Sequence, residues 1–264
     1  MEHEALIRFS IFFGLFVLLA LIESYAPRRA RVQARGGRWI TNWGMTIVNA
    51  AALRLLAIAL PFLAVGAAID ANANGIGLFN VVDLPLWLEM LLTILILDWA
   101  IWAQHLVTHK VPLLWRLHQV HHSDRDLDVT SAIRFHPIEI ALSMILKIGL
   151  VYLLGPAAVA VIAFEILLNA TAMFNHANLA IPEKIDRWLR LVIVTPDMHR
   201  VHHSDDRAEH DANYGFALSI WDRIFGTYIA QPAKGHDGMT VGLRWQDNRP
   251  ARLDWALLLP FRNR

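Results

Sequence analysis

Thirteen histidines occur in 264 residues, and eleven of them fall between His105 and His210. Eight lie in three clusters. His105 and His109 form HxxxH. His118, His121 and His122 form HxxHH, and His199, His202 and His203 repeat it. Neutral imidazole is the commonest side-chain metal ligand and suits iron, zinc, copper and nickel. One ion takes roughly three to six ligands. Eight clustered histidines exceed the need of one ion and match two, so the chemistry to expect is that of a dinuclear metal centre. His136 in "RFHPIE" and His176 in "FNHANL" stand alone and are closer choices. His3, His210 and His236 read as ordinary solvated side chains.

Short helices must carry these residues. His105 and His109 are one helical turn apart and share a face. Pro112 is placed to start a helix that brings His121 and His122 within a turn of His118. Thr195-Pro196, an N-cap and first-turn proline, does the same for the third cluster. "HQVHHSD" at 118–124 and "HRVHHSD" at 199–205 are nearly identical, but their surroundings do not repeat. They read as two similar ligand sets rather than a duplicated domain, and they must converge with His105 and His109. Asp98, two turns before His105, is expected to accept a hydrogen bond from a ligand histidine, and so are Asp124 and Asp205.

The longer elements are membrane spans. The chain is 56% hydrophobic and 18% charged, with a mean hydropathy of +0.39, too apolar for an ordinary soluble domain. A net charge of +1 gives no electrostatic case for nucleic acid, and the absence of cysteine excludes disulfides and thiolate metal sites. Apolar regions cover about 5–23, 44–69 and 84–104. A fourth, 138–174, is too long for one span and turns at Gly155-Pro156, which predicts a helical hairpin. The first region, with Glu2 and Glu4 before it and arginines after it, reads as a retained helix rather than a cleaved signal. Lys147 and Glu165 lie at similar distances from the hairpin turn and should pair. Arg28, Arg29, Arg31, Arg35 and Arg38 mark one loop, while 70–83 has no Lys or Arg, so the positive-inside rule puts the arginine loop in the cytoplasm. The expected fold is all-α: a single membrane-embedded multi-pass bundle. Segments 105–137 and 175–230 form a cytoplasmic histidine-rich cap, with a C-terminal tail over 231–264.

Five stretches together, "DWAIWAQHLVTH" (98–109), "LWRLHQVHHS" (114–123), "FHPIE" (135–139), "TPDMHRVHHS" (195–204) and "NYGFALSIWDRIFGTY" (213–228), resemble the fatty acid hydroxylase / sterol desaturase superfamily of integral-membrane di-iron proteins. The resemblance implies metal ligation by the eight clustered histidines and places His176 where a further ligand stands. His136 matches a recurrent position, and Ala172 replaces a histidine that some members carry. Asn213, Tyr214 and Trp221, with an Asp222–Arg223 pair, would close the cap over the metals and orient the imidazoles. Two iron ions, with zinc as a substitute, and O2 as co-substrate are implied. The substrate implied is a lipid (fatty acyl, sphingoid or sterol-like), with hydroxylation ahead of desaturation. No dinucleotide fingerprint or haem domain is evident, since "GIG" at 75–77 lacks the third glycine. A separate cytoplasmic electron donor of reductase, ferredoxin or cytochrome type is therefore implied, docking on Arg116, Arg187, Arg190 and Arg200. The rival class is a non-oxidative zinc-binding membrane scaffold or metal transporter, although transporters hold ligands near the bilayer midplane.

Overall fold

The computed structural model describes residues 3–60, 62–245 and 247–262. They are all-helical apart from turns and isolated bridges. The long helices are α1 (Glu4–Tyr25), α2 (Arg35–Ala59), α4 (Leu86–Lys110), α6 (Pro137–Leu154) and α7 (Ala158–His176); α3 (Ala64–Ala73) follows α2. The cap adds α5 (Pro112–His122), α8 (Glu183–Leu189), α9 (Pro196–His202), α10 (Arg207–His210), α11 (Ile220–Ile224), α12 (Gly235–Gly238) and α13 (Leu253–Leu258). By length and composition, five helical segments can cross a membrane.

Helix α2 shows why. Its buried face is polar (Arg38, Thr41, Asn42 and Asn49, with Met45), at helical spacing. Ile40, Ile47, Leu55 and Ile58 point outward and are exposed. Water would favour the opposite arrangement; lipid favours this one. The second apolar region is built from two helices: α2 ends at Ala59 and α3 starts at Ala64. Pro61 interrupts the sequence there and lies outside the described residues.

The hairpin forms as predicted. Gly155 ends α6 in the left-handed region (φ +63), where a Cβ is costly. A Cβ on Gly77 would stand 2.3 Å from the Gly155 nitrogen, so the 75–80 loop closes on this turn only through glycine. Lys147 and Glu165 pair at 2.7 Å, and Arg8 joins them at 2.5 Å, stitching α1, α6 and α7. At the other end of the bundle the arginine loop packs on the cap. Asp126 accepts the backbone N–H groups of Val32 and Gln33, and Asn178 accepts that of Arg29. The C-terminal segment is no free tail: α13 packs Trp255 and Ala256 against Met45 of α2 and Val120 of α5.

Candidate metal centre

The cap brings nine histidines together in two sets. Five come from α4, α5 and α9: His105, His109, His118, His122 and His202. Four come from α5, α7 and α9: His121, His176, His199 and His203. Within each set one nitrogen per ring lies within 4.8 Å of the others, and all nine rings are buried. The proline-started helices form as the spacing predicted, and Thr195 Oγ1 accepts the Met198 N–H at the start of α9. His136 stands outside both sets. Its Nδ1 accepts the Ile138 N–H and its Nε2 faces the Leu257 carbonyl, so it caps α6.

The tautomers carry the metal argument. A carbonyl or carboxylate only accepts, so a ring nitrogen bonded to one must bear the proton. His105 Nδ1 meets the Tyr214 carbonyl at 2.7 Å, and His118 Nδ1 meets Glu139 at 2.6 Å. In the neutral ring that a metal ligand requires, this places the lone pair on both Nε2 atoms, which face each other at 3.0 Å. The other set repeats the pattern. His121 Nδ1 donates to the Arg134 carbonyl and His176 Nδ1 to the Ala172 carbonyl. Their Nε2 atoms also face at 3.0 Å. His202 donates Nδ1–H to Ala212 O, leaving a buried Nε2 without a hydrogen-bond partner. Lone pairs aimed at one another in a dry interior repel unless a cation lies among them. This donor set, all imidazole, suits iron or zinc.

Burial and the neighbouring imidazoles hold His121, His122, His199, His202 and His203 well below the ordinary histidine pKa. The rings are neutral, as ligands must be.

The acids expected behind the histidines do other work. Asp98 accepts from the Leu218 N–H and from Trp221 Nε1, pinning the 213–228 stretch to α4. Asp124 is bonded by Arg38, Asn42 and Ser131. The Arg38 guanidinium holds its carboxyl down at about 2. Asp205 is half-buried and, among the described residues, hydrogen-bonds through its backbone, to Thr240 and Arg244. The repeated Ser-Asp thus has no shared role: one copy meets α2, the other the 240–244 segment. Asp222 and Arg223 do not pair. Asp222 collects Trp102, Tyr214, Gly215 and Thr227. Arg223 donates to the Arg190 carbonyl and lies over Tyr228. Asn213, at φ +53, bonds the carbonyls of Met198 and Ile229 and so fixes the entry to α9. Tyr214 meets a histidine through its carbonyl rather than its hydroxyl. Arg190 and Arg200 are buried and paired with Asp186 and Asp197, so they offer no docking surface. His236 is buried, 3.6 Å from Asp197, and burial lowers it to about 4; His210 is half-buried and stacked on Trp115. Neither is an ordinary solvated side chain. Glu139 was not singled out from the sequence. Its only signal was an acid in the first turn of α6.

A cavity of about 410 Å³ opens beside the centre, and His105, His118, Glu139 and Ala172 line it. Phe12, Leu53, Ile101, Ile140 and Leu168 supply apolar walls, and Arg8, Lys147 and Glu165 also line it.

The fatty acid hydroxylase family profile matches residues 90–227, just over half of the chain and both histidine sets. Alkylglycerol monooxygenase of Homo sapiens is 34% identical over 54% of this chain and 31% of its own length. Ornithine lipid hydroxylase OlsE of Rhizobium tropici is 27% identical over 84% of this chain and 67% of its own. Alkylglycerol monooxygenase of Xenopus tropicalis is 29% identical over 88% of this chain and 49% of its own. The chain thus spans from about a third to two thirds of these relatives. No solved structure matches. The all-helical bundle, the paired histidine sets and the profile agree: the chain belongs to the fatty acid hydroxylase family.

Proposed function

We propose that this chain is a membrane di-iron monooxygenase that hydroxylates a C–H bond of a lipid. The carrying observation is the pair of inward-facing lone-pair contacts, one in each histidine set, beside an apolar cavity. His105, His109, His118, His122 and His202 would hold one iron, and His121, His176, His199 and His203 the other. Bound iron supplies the reduction of O2 to an oxidant for unactivated C–H bonds, which offer no handle for acid–base chemistry. One oxygen atom enters the lipid and the other leaves as water, with two electrons and two protons from a separate donor.

The chain's own residues position and shield. The Glu139 carboxylate and the Tyr214, Arg134, Ala172 and Ala212 carbonyls fix five imidazoles in the tautomer that aims Nε2 inward. The apolar wall of the cavity holds the hydrocarbon and excludes water. Relatives named for ornithine lipid and for alkylglycerol point to a lipid with a polar headgroup. The arginine loop packs on the cap, which by the positive-inside rule supports a cytoplasmic side for the histidines and for the electron donor.

Metal analysis combined with lipid mass spectrometry tests the reading. About two irons per chain are expected, with a product one oxygen heavier that is absent from His202→Ala. Loss of two hydrogens would make the chain a desaturase. Zinc alone, with no lipid change when iron and a donor are supplied, would overturn the oxidative reading.

A further inference from the structure

We propose that a second cavity in the cap is a binding site for a phosphate-type oxyanion. The loop after α1 with Arg29, the loop after α5 with Arg125 and Asp126, α9 with Arg200, Asn178 and the 239–241 segment meet there. They enclose about 220 Å³.

Arg200 is 1% exposed. Its Nη1 donates to Asp197, while its Nη2 is buried without a hydrogen-bond partner. The other arginines buried as deeply are fully engaged. Arg38 bonds Asp124, Asp128, Ser131 and the Asp126 carbonyl. Arg134 bonds Asn42, Ser123 and the carbonyls of Val120 and Pro250. A buried donor on a guanidinium is costly to leave unmatched; among the described residues that of Arg200 has no partner, and Arg200 lines this cavity.

The charges around it favour an anion. Arg29 and Arg125 each commit one guanidinium nitrogen to a described acceptor, the Met239 carbonyl and Asn248 respectively. Asp126, the carboxylate lining the cavity, is occupied by the backbone N–H groups of Val32 and Gln33. Asp197 is shared between Arg200 and Arg28, 3.4 Å away, with His236 at 3.6 Å. Three guanidiniums around one carboxylate leave a net positive lining that matches an oxyanion able to accept several N–H groups at once. Arg200 lies inside the third histidine cluster and Arg125 just past the second. A bound anion would tie both to the loop leaving α1. That loop begins where α1 ends, so the phosphate could be a lipid headgroup or a soluble ion.

The test uses the full chain in phospholipid-free detergent, titrated with inorganic phosphate at constant ionic strength against sodium chloride. The melting temperature should rise with phosphate. Arg125→Gln should raise the half-saturating concentration about ten-fold, the loss of one charge-assisted hydrogen bond. Arg244→Gln, outside the cavity, should leave it unchanged. Arg200→Lys, which keeps a cation for Asp197, should weaken phosphate as Arg125→Gln does. An equal melting temperature in phosphate and chloride, or an undiminished shift in Arg125→Gln, overturns the site. Repeating the titration in phosphatidylglycerol nanodiscs identifies the source: a vanished shift means that the headgroup already fills the site, and a persisting one means soluble phosphate. The readout involves neither iron nor turnover, so it stands or falls apart from the proposed oxidation.

Discussion

The five-histidine and four-histidine sets differ by one ligand, and the difference follows from how the repeated motif is divided. In HxxHH the first and last histidines are about a turn apart, some 40° from each other around the helix, while the middle one points about 60° from the first and about 100° from the last. On α5 the turn-spaced pair, His118 and His122, joins the five-membered set, and His121 joins the other. On α9 the allocation is reversed: His199 and His203 join the four-membered set, and His202 crosses over. Each helix therefore serves both sets, and the sets are related by an approximate exchange. Helix α4 completes one with the pair His105 and His109. Helix α7 completes the other with His176 alone, because Ala172 stands one turn earlier, on the wall of the cavity beside the centre. The two sets also differ in what stands behind them. A carboxylate, Glu139, backs His118, whereas His121 and His176 are backed by carbonyls.

The largest effect should come from removing a ligand from either set. His202→Ala and His203→Ala should each abolish product, and each should lower iron from about two per chain to about one if the sets bind separately. Loss of both irons from either variant would show that the sets act as one site. Glu139→Gln should come next, costing about 10- to 100-fold in activity or metal affinity. The iron it loses should be that of the five-membered set, visible as an asymmetric change in the di-iron spectrum; a symmetric change would break the distinction. Acid should then act on the metal-free protein. His121, His122, His199, His202 and His203 are held neutral in the fold but protonate when unfolded. Stability is therefore full above about pH 6.5, the ordinary histidine value, and falls as the pH drops below it. Melting temperature against pH should show a steep loss between pH 7 and 5 that bound metal suppresses. Asp124 adds a loss of the same sign at lower pH, with its stabilisation present at neutral pH and lost only as pH falls toward about 2. The smallest effect should come from Ala172→His, which would make the sets alike. It should slow iron release by chelator a few-fold while lowering turnover, and unchanged release would show that position 172 does not face the metal.

Much of this arrangement was legible in the letters. The three clusters, the hairpin turn and the Lys147–Glu165 pair depend on local spacing and hydropathy, which sequence records directly. The supports behind the histidines were not legible. Asp98, Asp124 and Asp205 looked like acceptors for imidazole because they sit near the clusters in sequence. In the fold Asp98 faces the 213–228 stretch and Asp124 faces α2. Four of the five identified acceptors are backbone carbonyls, which every residue carries and no letter marks.

The sequence by itself determined that imidazoles would be plentiful, turn-spaced and placed at the ends of apolar helices, because helical periodicity and the bilayer fix those features locally. Only the tertiary structure decided which histidine joins which set and that Glu139 stands behind His118. These depend on how helices distant in the chain face one another, and packing across the bundle sets that orientation.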